Sequence, residues 1–337
     1  MDNMEKKSWK VDVPVLIIFF ARSDVFEKTF EAVRRARPST LLLWQDGPRE
    51  GRQDDIEGIE RCREIAERVD WDCTVYKMYN EQNYGCDPST FYSHKWAFSL
   101  VEKCIILEDD MVAEECFFHY CKELLDKYEN DQRINHICGI NFFGVMEECP
   151  NDYLFAYNGT GAWASWRRVA KEWDEEYTFL DKEYYIKNLK NRGKGMVKMS
   201  YKTAINRKAR GKAYWETILG FNCMLNNRYV IIPKRNMVTN VGMDESSTHG
   251  ANLKLIPKSV KRLFNAPTYH QELPLKHPEY VVLDEDYYKK MCKLIGIGRP
   301  FFKIWRKIDY MFKCLFYGEF GRIFKALGRK FKRKKKQ

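Results

Sequence analysis

Residues 104–111 read Cys104-Ile105-Ile106-Leu107-Glu108-Asp109-Asp110-Met111, an apolar run that passes straight into three acids. The apolar part suits a strand buried on both faces. The acids then fall at its carboxyl end, where open α/β sheets bind their ligands. Three adjacent carboxylates repel one another unless a cation sits among them. Hard divalent ions such as Mg²⁺ or Mn²⁺ take carboxylate oxygens and carry substrate phosphates as further ligands. The stretch therefore reads as a metal–diphosphate site. The plain alternative is an acidic turn before a helix starting near Glu114, because acids favour a helix N-terminus.

Working outward, Val13–Phe20 is another continuous apolar run and reads as a buried strand. Ser23 or Asp24 can cap the helix that follows, through about Arg35. Thr40–Trp44 is a second strand, closed by the turn residues Gln45-Asp46-Gly47-Pro48. Asp54–Val69 is an amphipathic helix with Ile56, Ile59, Ile65 and Val69 inward. Cys73–Met78 is a third strand and Ser89–Val101 a helix. Helix Glu115–Tyr128 and strand Ile134–Ile140 follow the acids. Alternating strands and helices imply an α/β fold with a mainly parallel, Rossmann-like central sheet flanked by helices. No Gly-x-Gly-x-x-Gly follows the first strand, so the dinucleotide fingerprint is missing.

The second half is less regular. Tyr153–Tyr157 reads as an edge strand, and Asn158 to Trp163 as a Gly-rich turn into a helix over Ala164–Glu175. Asp181–Arg192 and Tyr214–Asn226 read as helices, Tyr229–Ile232 as a strand. Lys194–Lys212 is basic, with no clear pattern. Asn240–Leu253 is a polar loop; His249 within it is flanked by glycine and poorly placed for a core role, which leaves metal ligation or phosphate contact. His94, His119 and His136 read as structural.

The 337 residues carry a net charge of +11, with eleven cysteines. An odd cysteine count without a C-x-x-C pair suits free thiols in a reducing compartment and argues against a zinc ribbon. Met1 to Asp12 is polar and Val13–Ala21 too short to span a bilayer, so neither a signal peptide nor an anchor is expected there. From Phe301 onward thirteen Lys or Arg face only Asp309 and Glu319, so the tail carries the whole charge excess. Its apolar residues Phe301, Ile304, Trp305, Ile308, Met311, Phe312, Leu315 and Phe316 have helical three–four spacing. An amphipathic helix with a basic run at 332–336 suits an anionic membrane surface. Nucleic-acid binding does not explain the large apolar face, and a buried C-terminal helix does not explain the basic run.

The residues resemble nucleotide-sugar glycosyltransferases of the GT-A fold, with most likeness to the N-acetylglucosaminyltransferase I type and its bacterial relatives. The likeness runs from about Val13 to Leu253. It rests on Ala21-Arg22-Ser23, Trp44-Gln45-Asp46-Gly47, the DXD-like Glu108-Asp109-Asp110 followed by Phe117-Phe118, Gly159-Thr160-Gly161-Ala162-Trp163, Tyr214-Trp215-Glu216 and Ser247-Thr248-His249-Gly250. The acidic triplet is the specific marker.

The resemblance implies a role for each. Asp110 would ligate Mn²⁺ or Mg²⁺, with His249 a further candidate. Glu108 and Asp109 would contact ribose and sugar or hold the metal's waters. Asp46 would accept hydrogen bonds from uracil, and Arg22 would reach the nucleotide or its phosphates. Gly159, Gly161 and Trp163 would wall the sugar. Glu216, where the family has Asp, would take the acceptor's proton; Asp244 and Glu245 rival it.

Four regions follow: a nucleotide-sugar-binding half (1–145), an acceptor and catalytic half (146–260), a linker and C-terminal extension (261–300) and a basic amphipathic membrane-associating tail (301–337). The expectation is a cytoplasmic enzyme, peripheral on the inner face of the membrane. It would be metal-dependent and inverting, moving a sugar from a UDP-sugar to a glycan or lipid-linked glycan, with no nucleic-acid partner. The rival readings are a Rossmann-like nucleotidyltransferase and a degenerate, non-catalytic adaptor at the membrane surface.

Overall fold

The structure, a computed structural model, describes residues 7–192, 196–242, 255, 264–297 and 299–321. One eight-stranded sheet runs through both halves of the chain. Its first four neighbours are parallel: β3 (Thr74–Tyr79), β2 (Pro38–Gln45), β1 (Val11–Phe19) and β4 (Lys103–Glu108). Then come β8 (Trp163–Trp166), β6 (Ile134–Cys138), β9 (Tyr229–Pro233) and β7 (Tyr153–Ala156). β8 is antiparallel to both its neighbours, β6 and β9 pair in parallel, and β7 closes the edge antiparallel to β9. The expected α/β class with a mostly parallel sheet holds.

Alternation along each strand feeds two cores, one on each face. Val13, Val15, Ile17, Leu41, Leu43, Ile105 and Leu107 point into one, against α1 (Ser23–Ala36) and α4 (Glu115–Lys127). Leu16, Ile18, Leu42, Trp44, Cys104 and Ile106 point into the other, against α3 (Cys86–Leu100) and α8 (Trp215–Leu225). Burial on both faces is why these strands read as unbroken apolar runs. Helix α2 (Gln53–Ala66) buries Ile59 and Ile65, but Ile56 is exposed. Helix α1 starts one residue earlier than its expected caps: Arg22 is the N-cap, and its side chain caps nothing.

The largest departure from expectation is the segment read as helix Ala164–Glu175. Trp163–Trp166 is a fully buried strand between β4 and β6, and only Arg167–Ala170 (α5) is helical. The basic stretch with no clear pattern contains helix α7 (Met196–Lys208), which follows α6 (Glu183–Arg192). A short second sheet pairs β5 (Met111–Ala113) antiparallel with β10 (Val238–Asn240). It seats Asn240 opposite Met111, beside the last acid.

Residues 264–284 are more than a linker. Leu275 N–H donates to Glu123, Lys276 N–H to Asp152, and the Tyr153 hydroxyl meets His277. Asp284 N–H donates to the Phe155 carbonyl of the edge strand, and the Asp284 carboxylate caps α9 (Glu285–Ile295) by accepting from Tyr287 N–H at 2.8 Å. Helix α10 (Pro300–Phe316) turns its stripe outward: Phe301, Trp305, Phe312 and Phe316 are 77, 67, 66 and 83% exposed, which excludes a helix buried along that face within the described residues. No helix among the described residues is long and apolar enough to cross a membrane.

Candidate functional site

The carboxyl edge of the sheet gathers the first turn (Phe20–Arg22), the end of β4 and the start of β8. Because β8 runs antiparallel with Trp163 opposite Ile106, the Gly159–Ala162 turn arrives at the acids. Helix α8 starts nearby at Trp215, so that Glu216 charge is felt at Glu108.

Within the triplet the three acids differ. Asp109 is buried and accepts from Arg22 Nε at 3.4 Å and from Arg22 Nη2. Its carbonyl accepts from the Thr29 hydroxyl at 2.8 Å. Burial raises its pKa against the opposing pull of Arg22. Asp110 takes Arg22 Nη2 on Oδ2 at 3.1 Å and Asn240 Nδ2 on Oδ1 at 3.3 Å. Its carbonyl accepts from Val241 N–H at 2.9 Å. Glu108 is half-buried, and its side chain makes no hydrogen bond among the described residues. Its carboxyl is pushed up to about 8, first by burial, then by Asp110, Glu216 and Asp109, against the pull of Arg22.

Among the described residues, no group of three or more His, Cys, Asp or Glu side chains is arranged to hold a metal ion. The donor set at this edge, carboxylate oxygens on Asp110 and Asp109, fits a hard ion that binds through one or two carboxylates and takes its other ligands from phosphate and water. It does not fit an all-protein cage. Both Asp110 oxygens are engaged, so a cation there competes with Arg22. Asp244, Glu245 and His249, expected on the loop after β10, lie outside the described residues.

Three expected assignments meet a different geometry. Asp46 is buried at the end of β2 with its carboxylate saturated. Oδ1 accepts from Gly47 N–H at 3.1 Å and Tyr84 N–H at 3.0 Å, and Oδ2 from Gly85 N–H at 3.0 Å, with Ser89 as a further donor. It fastens the loop before α3 and leaves little capacity for uracil. Trp163 is 1% exposed and so cannot wall a sugar. It stacks on Trp215 with centroids 5.7 Å apart, and His94 stands edge-on to both at 5.1 Å. Burial drives the His94 pKa down to about 3, so this box is neutral. It anchors the start of α8 below Glu216. Gly161, at φ +125, needs glycine for its backbone, and a Cβ there would meet Ile140 at 2.2 Å. A Cβ at Gly159 would meet Ile232 at 2.5 Å. Both glycines thus answer first to packing.

Two site residues went unforeseen. Asn240 holds Asp110, and its Oδ1 accepts from Gly242 N–H at 2.9 Å. A Cβ on Gly242 would come within 2.1 Å of Asp110 Oδ2. Neither contact has a local signal, because both cross about 130 residues of chain.

Glu216 is 53% exposed and 3.8 Å from Arg207 Nη2. It also borders a cleft of about 450 Å³ between α6, α7, α8, α9 and the 157–160 turn.

No protein-family model matches the chain, and no curated protein sequence does. Among solved structures, the chain is similar to 4-diphosphocytidyl-2C-methyl-D-erythritol synthase from Anaerococcus prevotii, at 18% identity over 51% of this chain and 75% of that one, with a TM-score of 0.32. It is also similar to a UDP-glucose pyrophosphorylase complexed with UDP-glucose, at 11% identity over 48% of this chain and 71% of that one, with a TM-score of 0.25. At such scores neither likeness carries an argument about activity; the α/β class rests on the sheet itself.

Proposed function

We propose that the protein is a divalent-cation-dependent glycosyltransferase that uses a UDP-sugar, with N-acetylglucosamine favoured by the resemblance. The observation that carries the reading is the meeting of Arg22, Glu108, Asp109 and Asp110 at the end of β4, with Glu216 close enough for its charge to act on Glu108. Buried like charges held by a single arginine destabilise a protein unless a cationic ligand relieves them.

Asp110, with Asp109 beside it, would hold Mn²⁺ or Mg²⁺; the ion, when bound, neutralises charge on the leaving diphosphate. Arg22 suits bidentate contact with the same oxygens. Glu108 would contact the ribose or the sugar. In an inverting transfer the acceptor oxygen bonds to the anomeric carbon as its bond to the diphosphate oxygen breaks, and UDP leaves. Glu216 takes the acceptor's proton; Asp244 is the rival base and His249 a rival metal ligand.

The membrane part of the reading is supported by the outward stripe of α10 and by the basic excess of the tail. On it rest a lipid-linked glycan as acceptor, an anionic lipid surface as partner, and a place on the inner, cytoplasmic face of the membrane.

A nucleotidyltransferase is the second reading. The synthase and the pyrophosphorylase named above do not decide between the two readings at their TM-scores of 0.32 and 0.25. Against nucleotidyl transfer stands the first turn: only Phe20, Ala21 and Arg22 separate β1 from α1, with no Gly-rich phosphate loop. Product analysis tells the two apart. With UDP-sugar, Mn²⁺ and acceptor, glycosyl transfer releases UDP. With UTP and a sugar 1-phosphate, nucleotidyl transfer releases pyrophosphate. Pyrophosphate in the second assay and no UDP in the first would reverse the proposal.

A further inference from the structure

The cleft beside Glu216 has a wall unlike the acidic edge. Leu189, Met196, Val197, Leu219 and Met224 line it, and α9 closes one side through Tyr288 and Ile295. At about 450 Å³ it is of the size that takes a small ligand. Methionines and leucines on three helices form a surface that adapts to a flexible chain rather than fixing a polar ring. Its one acid from α8 is Glu216, which lies at the first turn of that helix. Gly220, four residues on, shares the face of Glu216 and borders the same cleft. A polar sugar acceptor alone would leave this wall uncovered.

We infer that the cleft receives the apolar aglycone of an amphiphilic acceptor, an alkyl glycoside or glycolipid, whose sugar hydroxyl is thereby presented to Glu216. This rests on the glycosyl-transfer reading and narrows its acceptor class. Two further features agree with it. The turn at Gly159 and Thr160 forms part of the cleft and runs on through Gly161 into β8, which pairs with β4 below the acids, so one turn joins the two regions. Helix α9 leads directly into α10, so an acceptor held in a lipid surface under the outward stripe would have its apolar part near the cleft.

Gly220 makes the test clean, because a Cβ there meets nothing within 4 Å. Gly220→Phe should project its ring into the cleft from a position where the Cβ is unobstructed, and Met224→Gln should make its wall polar at nearly constant volume. Binding of n-octyl β-D-glucoside, below its micelle concentration, is compared by calorimetry with that of methyl β-D-glucoside on the full chain. The octyl compound should bind at least about tenfold more tightly, since each buried methylene favours it. Both variants should remove most of that preference and leave binding of UDP with Mn²⁺ unchanged. Equal affinity for the two glycosides overturns the inference. So does an octyl preference that survives both variants, which would assign the chain to the α10 stripe. UDP with Mn²⁺ reads the donor site separately, so failure there is not mistaken for failure of the cleft.

Discussion

The carboxyl ends of β2 and β4 each carry a buried or half-buried carboxylate, and the protein treats them oppositely. Asp46 has donors from Gly47, Tyr84, Gly85 and Ser89 on its two oxygens. Glu108 has none among the described residues and faces three other acids with one arginine as relief. A saturated carboxylate holds structure together; an unsatisfied one among like charges costs stability and waits for a ligand. Two acids that look alike in sequence, each closing an apolar strand, therefore have separate tasks.

The largest effect is expected at Glu216. Glu216→Gln should cut turnover by about 10²–10⁴ and leave UDP binding nearly intact. If Asp244→Asn does this instead, the base is Asp244. Asp46→Ala should lower stability by about 3 kcal/mol in denaturant titration, by stranding buried N–H donors; a large loss of nucleotide affinity with unchanged stability would return Asp46 to the site. Gly242→Ala should push Asp110 aside and weaken Mn²⁺-dependent UDP binding about tenfold, with Tm little changed. Unaltered binding would show that Asp110 can move freely.

The last effect concerns pH. The native Glu108 carboxyl is raised from 4.5 to about 8, so between those values the folded state holds a proton that the unfolded chain has released. Stability of the cation-free protein therefore falls as pH rises through that window. Glu108→Gln should flatten the slope and raise Tm most above pH 8. An unchanged slope would mean that Glu108 is better solvated than its half-buried position implies.

The order of β1 to β4 and the acids at the β4 edge were legible because double-faced burial writes itself as apolar runs. β8 was not. Trp163-Ala164-Ser165-Trp166 is too short for periodicity to separate strand from helix, and the following Arg167–Ala170 does turn helical. With the strand went Trp163, which the resemblance casts as a sugar wall and the fold uses as core. The role of Asp46 was hidden for another reason: its partners Tyr84 and Gly85 lie 38 and 39 residues away, and nothing local announces them. Asn240 and Gly242 reach Asp110 only through the short β5–β10 ladder.

The proposed function stands or falls with binding of a nucleoside diphosphate at the β4 edge through a divalent cation held by Asp110. It is tested most directly by titrating UDP into the protein with and without Mn²⁺, for the native chain and for Asp110→Ala. Binding should need Mn²⁺ in the native chain and be lost in a folded Asp110→Ala variant. UDP binding that is equal in excess chelator, or unchanged in that variant, would contradict it.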